Sequence, residues 1–179
     1  MKTKVINLLG GSGLGKSTTA ALLFGELKLL GKQAELVREY VKEWAWEGKP
    51  VGVFGQNIIY GQQLARESML YGKVEYIVTD SPLILAAIYQ KFYTGKDTIA
   101  ACIFNDLESA KLQGVEHINI VLRRNKVFDP RGRYETEAQA RMVDVAVVEY
   151  LKANNQPFIF EDGDDRARIQ NIIKAVVNE

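Results

Sequence analysis

The stretch VINLLGGSGLGKST, residues 5–18, decides how the rest of the chain is read. Val5 to Leu9 is an apolar run that ends in glycines, the signature of a buried strand. From Lys16 onward, alanines and leucines recur at helical spacing until Gly31 stops them. Between the two, Gly10, Gly15, Lys16 and Ser17 fall on the pattern G-x-x-x-x-G-K-[ST]. A strand, a glycine loop and a helix in that order let backbone N–H groups converge on phosphate oxygens at the positive end of a helix. Gly11, Ser12, Gly13, Leu14 and Gly15 form the expected cradle, where glycine permits an approach that side chains would block. Lys16 is expected to reach the β- and γ-phosphates and Ser17 to ligate Mg²⁺, with Thr18 adding a further contact to phosphate. The implied ligand is ATP with Mg²⁺; the competing reading is a flexible glycine loop that binds nothing.

Outward from this loop, strand-like and helix-like segments alternate. A strand at residues 33–38 follows the first helix, then a short helix at 39–46 is broken by Gly48-Lys49-Pro50. Apolar residues three and four apart predict a long helix over 55–70, and residues 74–79 form another strand, ending in Asp80-Ser81-Pro82. Helical patterns at 83–92 and 98–112 lead to a strand at 117–122. A basic loop follows, then an amphipathic helix over 136–153, a short strand at 157–160 and a closing helix at 166–177. Regular alternation of this kind predicts an α/β fold, one domain over residues 1–179, with a parallel sheet covered on both faces.

Composition narrows the class. The chain has 179 residues, 47% of them hydrophobic, enough for a full core in a single domain. A formal net charge of +1 gives no global attraction to nucleic acid or a membrane surface. The single cysteine, Cys102, rules out an internal disulfide and is read as a small buried hydrophobe. No run approaches the roughly 18 apolar residues of a membrane span. The expectation is a cytoplasmic protein. One cysteine and one histidine exclude a metal cluster of those ligands, and His117 is read as structural.

Other residues carry the candidate chemistry. Asp80 ends an apolar strand, where a second carboxylate is needed for hydrated Mg²⁺; the bland alternative is a strand-end cap. Glu39 follows the second strand, where it could orient or deprotonate an acceptor hydroxyl, or simply serve as the first-turn acid of a helix. Arg38 has a weaker claim. Tyr40, Trp44, Trp46, Phe54, Tyr60 and Tyr71 could stack a ring, although core packing explains any one of them. Gln56, Gln62 and Gln63 are candidate hydrogen-bonding partners. Arg123, Arg124, Lys126, Arg131 and Arg133 cluster in RRNKVFDPRGRY. Such a loop suits a lid, about residues 123–135, that stabilises charge on a transferring phosphoryl group and excludes water. A nucleic-acid contact or a solvated basic loop are the alternatives.

The segments GGSGLGKST, VREYVKEW, VEYIVTDSPL and RRNKVFDPRGRYETEAQARMVD together resemble the small P-loop kinases related to nucleoside and nucleotide kinases. They look most like the NadR-type, nicotinamide-riboside-kinase-like ATPase group, which includes many phage proteins. The resemblance implies a five-stranded parallel sheet and a lid. By position it gives Lys16 and Ser17 the phosphate and metal roles, Asp80 the strand-three carboxylate, Glu39 the acid after strand two, and Arg131 and Arg133 the lid. Arg124 joins the nucleotide-binding set. One departure matters: many nucleotide kinases follow the strand-three Asp with Arg, whereas Ser81 and Pro82 follow here, which favours a hydroxyl over a monophosphate acceptor. Three functions compete: a kinase of a small nucleoside-like acceptor, a kinase of hydroxymethylated bases in DNA, and a regulatory nucleotide-binding ATPase. The absence of an N-K-x-D motif leaves a GTP-binding switch without support.

Overall fold

In a computed structural model that describes residues 1–52, 54–125 and 127–177, five strands form one parallel sheet. The elements run β1 (Thr3–Leu9), α1 (Lys16–Leu29), β2 (Ala34–Val37), α2 (Val41–Trp46), α3 (Gly55–Ser68) and β3 (Tyr76–Thr79). They continue with α4 (Leu83–Thr94), α5 (Ala100–Leu112), β4 (Val115–Leu122), α6 (Glu137–Ala153), β5 (Phe158–Glu161) and α7 (Asp165–Val176). Strand order is β2-β3-β1-β4-β5, with Asn7 of β1 level with Thr79 of β3 and Asn119 of β4. Chain direction along the sheet reverses beside β1, so the loops leaving β1, β2 and β3 open on one crevice.

The strand pattern explains the layers. Ile6 and Leu8 face one side of β1, where they pack with Leu23 and Leu27 of α1 and Ile169 and Ile172 of α7. Leu9 faces the other side, with apolar residues of α4 and α6. Every residue of β1 except Lys4 is buried, as expected for a central strand covered on both faces. Two helix starts are capped as their sequences suggest. Thr136 and Gln139 form a reciprocal capping box on α6, and the Asp164 carboxylate accepts from the backbone of Arg166 and Ala167 on α7. Expected elements and observed ones agree within a few residues at each end. Cys102 does not match its reading: it lies on the outer face of α5, exposed, because only Ile103 and Ala110 of that helix are buried.

A polar cluster lies inside the apolar layers. Asn7 donates from Nδ2 to Asn119 Oδ1 at 3.0 Å, and its Nδ2 is 3.4 Å from His117 Nδ1. His117 Nε2 is 3.9 Å from Oε1 of Glu67, which accepts from the Tyr71 hydroxyl at 2.7 Å. Glu67 is fully buried, and burial raises its carboxyl to about 7 against the pull of the Tyr71 hydrogen bond. Burial also lowers His117 to about 4. His117 is therefore a neutral structural residue at the end of the sheet opposite the glycine loop.

Two stability tests follow. Leu23→Ala, which empties a fully buried site between the sheet and α7, is expected to cost about 3 kcal/mol in urea unfolding. Glu67 contributes stability that is complete below the ordinary carboxylate range and lost as pH rises through about 7. Neutral His117 contributes stability above about 6.5 that is lost as pH falls through about 4. The two slopes oppose each other in the native protein. In Glu67→Gln one opposing slope is gone, so unfolding free energy between pH 4.5 and 6.5 should rise more steeply, or fall less, with pH than in the native protein.

Candidate functional site

The glycine loop is shaped by its own backbone. Gly10, Gly13 and Gly15 have φ of +135°, +79° and +85°. A Cβ on Gly10 would stand 2.1 Å from Leu14 Cδ1, so the loop can close on its buried leucine only with glycine there. Lys16 Nζ folds back to donate to the carbonyls of Gly10 and Gly11, both at 2.8 Å. Helix α1 starts at Lys16 without a side-chain cap, leaving its first amides to whatever sits above them. Ser17 and Thr18 are exposed at that helix end. Burial pulls the Lys16 ammonium down, and the carboxylates of Glu39, Asp80, Glu135 and Asp144 partly offset it.

Two acids meet the loop because β3 lies between β1 and β2. Asp80, 4% exposed, accepts the Glu39 N–H on Oδ1 at 2.9 Å. The chain after β2 is also fixed by Gln63, whose Oε1 accepts from Tyr40 N at 3.3 Å and whose Nε2 donates to Thr79 Oγ1 at 3.4 Å. Glu39 is raised above its ordinary range, first by burial; Lys16 opposes this and Asp80 adds to it. Ser17 and Asp80 suit Mg²⁺, a hard cation that takes few protein oxygens and completes its shell with water and phosphate. Among the described residues no group of three or more His, Cys, Asp or Glu is built to hold a metal by itself.

A cavity of ~650 Å³ opens from this point. Ser12, Gly15, Lys16 and Ser17 line one end; Ile59, Tyr60, Leu85, Ala86, Tyr89 and Tyr93 line the other, with Glu39 between them. Of the six aromatics singled out in the sequence only Tyr60 lines it, and its hydroxyl is anchored outside by Asp106. Trp44 and Tyr71 pack within the protein, Trp46 and Phe54 are exposed, and Tyr40 packs edge-on to Trp44. Gln56 and Gln63 line the cavity; Gln62 and Arg38 do not.

The basic loop between β4 and α6 runs over the same cavity. Arg124 is turned inward, its side chain 7% exposed. It donates to Asp144 of α6 at 2.8 and 3.2 Å and to the Ser12 carbonyl at 2.9 Å. Asp144 in turn accepts the Gly11 N–H at 2.7 Å. Arg133 lines the cavity, whereas Arg131, 83% exposed, pairs with Asp129 and lies outside the lining. Arg123 stacks over the Phe160 ring, and Lys126 lies outside the described residues. A Cβ on Gly132 would meet the Trp46 ring at 2.7 Å, and the Tyr134 hydroxyl donates to the Lys49 carbonyl at 2.5 Å. The loop thus packs onto the segment that follows α2.

Four contributors were not singled out in the sequence. Glu135 acts on Tyr89 and Tyr93 of α4, whose phenols are both raised, first by burial and then by that nearby carboxylate. Their rings stack nearly parallel at 6.1 Å. Asp144 holds the glycine loop, as described above. No local signal marks these residues: an acid before an N-cap, tyrosines in a helix and an acid in mid-helix are ordinary sequence features.

The sequence model of the family described as "AAA domain" matches residues 5–170. No curated protein matches the chain. Among solved structures, the deoxyadenosine kinase from M.mycoides with bound dATP is similar, with a TM-score of 0.60 and 21% identity. The match covers 98% of this chain and 100% of that one. A second structure of that kinase, with products dcmp and a flexible dcdp bound, gives a TM-score of 0.56 at 18% identity, covering 97% and 96%. At such identities the likeness is one of fold, the P-loop kinase architecture.

The glycine loop offers a direct test. Gly13→Ala places a Cβ 2.8 Å from the Phe128 ring at a φ of +79°, a conformation that costs a non-glycine residue about 1–2 kcal/mol. Thermal stabilisation by added ATP should disappear in this variant, while the melting temperature without nucleotide falls by only a few degrees.

Proposed function

The chain belongs to the AAA domain family, and from that premise we propose that it is an ATP-dependent phosphotransferase acting on a hydroxyl of a small, nucleoside-like acceptor. The observation that carries this reading is the single cavity with Lys16 and Ser17 at one end and an apolar, aromatic chamber at the other. An enzyme that only hydrolyses ATP has no use for such a chamber. The P-loop kinase fold supports the same class, and the solved kinases of that fold were captured with deoxynucleotides.

In this reading Lys16 and the free amides of the loop, those of Gly13 and Gly15 among them, bind the phosphates, while the Gly11 amide is held by Asp144. Ser17 and Asp80 would hold Mg²⁺, which supplies charge neutralisation at the phosphate oxygens. The acceptor oxygen attacks the γ-phosphorus as the bond to the β-phosphate oxygen breaks, giving ADP and a phosphorylated acceptor. Glu39 takes the hydroxyl proton. Its raised affinity for protons, with Lys16 close by, suits a base that must capture and release one. Arg133, which lines the cavity, is the lid cation for the transferring group. Arg124 braces the glycine loop through Asp144 and the Ser12 carbonyl, and Arg131 would join Arg133 only if the loop moved. Residues 1–179 act as one kinase domain in this scheme, with 123–135 as its lid.

The acceptor in this reading carries no phosphate. Beyond Glu39 the chamber wall is Ile59, Tyr60, Leu85 and Ala86 with two further tyrosines, and Ser81 and Pro82 occupy the turn after Asp80. Glu39 and Glu135 line the cavity together with Lys42 and Arg133. The preference for an acceptor without a phosphate therefore rests on Ser81 and Pro82, standing where an Arg after Asp80 would bind one. A nicotinamide-riboside-like substrate belongs to this class. A second reading, transfer to a hydroxymethylated base in DNA, is favoured by Trp46, Phe54 and Ile58, which are 67, 75 and 50% exposed beside the cavity-lining segments.

The deciding experiment is transfer of label from [γ-³²P]ATP with Mg²⁺ to nucleosides, nicotinamide riboside, nucleoside monophosphates, and DNA with and without hydroxymethyl bases. Label on a small molecule that carries no phosphate, lost in Lys16→Ala, is the expected result. Label on DNA alone would move the protein to the second reading; free phosphate whatever the acceptor would leave a nucleotide-binding ATPase. With the acceptor identified, Glu39→Gln should lower kcat by about 10²–10⁴-fold with little change in ATP affinity. It should also abolish the acid limb of the pH–rate profile, which lies above the ordinary carboxylate range because burial raises Glu39.

A further inference from the structure

Arg168 of α7 is the largest of the fully buried side chains, with none of its surface exposed. Its Nη1 donates to the Leu14 carbonyl at 3.3 Å and its Nη2 to the Arg123 carbonyl at 3.0 Å, while Nε has no partner among the described residues. Removing a guanidinium from water is costly, and neutral carbonyls offset that cost less well than a carboxylate does. Helix α7 does not need this charge for docking, since Ile169, Ile172 and Val176 already bury its apolar face against the sheet and α1. Both carbonyls that Arg168 holds belong to functional segments: one lies inside the glycine loop, the other at the root of the basic loop.

The geometry of the peptide unit gives this contact a consequence. A trans peptide is planar, with its C=O and the following N–H pointing in opposite directions. None of the described peptides is cis. Fixing the Leu14 carbonyl against Arg168 therefore turns the Gly15 N–H the other way, toward the concave side of the loop. The Ser12 carbonyl, fixed by Arg124, does the same for the Gly13 N–H. Left free, a glycine-rich loop could rotate these peptides at little cost, because glycine populates both signs of φ.

We infer that Arg168 is a positioning residue of the phosphate site: by holding the Leu14 carbonyl it aims the Gly15 amide at the bound phosphates, and through the Arg123 carbonyl it fixes the lid root to the same point. The inference rests on the reading of residues 10–18 as a phosphate site, and not on the identity of the acceptor. It assigns to α7, the last helix of the chain, a part in nucleotide binding made without contact to the nucleotide.

The test compares Arg168→Met and Arg168→Lys with Ile172→Ala, a core truncation on the same helix that touches neither loop. Melting temperature and calorimetric affinities for ATP and ADP with Mg²⁺ are measured for each. Arg168→Met is expected to weaken both nucleotides by ~10-fold or more, the scale of one lost charged hydrogen bond. Ile172→Ala, at a comparable loss of melting temperature, should leave them within about twofold. Arg168→Lys, whose single ammonium cannot span both carbonyls, should fall between native and Met. Nucleotide affinities in Arg168→Met that match those of Ile172→Ala would make Arg168 a brace for α7 and overturn the inference. If Arg168→Met does not fold, Arg168→Lys decides: weakened nucleotide binding supports the inference and native affinity overturns it. Intact nucleotide binding with no acceptor phosphorylated would count against the proposed function and leave this inference standing.

Discussion

The two hydrogen bonds from Lys16 to the carbonyls of Gly10 and Gly11 join the first turn of α1 to the end of the central strand. They curl eight residues into a loop whose free amides share one side, and much else in the molecule serves to keep that loop in shape. Leu14 plugs it from beneath, Arg168 and Arg124 hold its outward carbonyls, and Asp144 takes the amide of Gly11. A cradle of backbone N–H groups works only if those groups do not find partners within the protein. Apart from Asp144, which takes the Gly11 amide, the side chains around the loop bind its carbonyls, and in the proposed function the amides of Gly13 and Gly15 are left to the phosphates.

The same crowding sets the electrostatics. Lys16, Glu39, Asp80 and Glu135 come from four separate loops or element ends and act on one another through space. Burial is the leading influence on both Lys16 and Glu39, and it pushes each toward its neutral form. Opposite charge nearby restrains that drift. Held toward its neutral form, Glu39 takes up a proton at a higher pH than an exposed glutamate does, a property that suits the base role proposed for it. The interior cluster of Glu67, Tyr71, His117 and Asn7, at the other end of the sheet, follows the same physics without a cavity to serve, and its consequence is pH-dependent stability.

The basic loop is tied across the cavity by contacts to two other elements. Gly132 lies against Trp46, Tyr134 donates to Lys49, and Glu135 stands beside two tyrosines of α4. These contacts cross the cavity from the β4 side to the α2 and α4 sides. Arg133 is carried into the lining by them, while Arg131 remains with Asp129 in solvent.

The sequence by itself determined the elements, their alternation and the phosphate loop. Each of these is written locally, in glycine positions, apolar periodicity and the residues at helix starts. Asp80 and Glu39 were legible too, because a parallel sheet brings the ends of adjacent strands to one edge. The tertiary structure alone decided which aromatics line the cavity, that Cys102 faces solvent, and that Arg124 turns inward to Asp144. It also decided that Arg168, 154 residues from Leu14 along the chain, holds the loop from behind. Such contacts depend on how helices pack across the sheet, and no spacing within one segment records which residue of a distant helix will meet a given carbonyl.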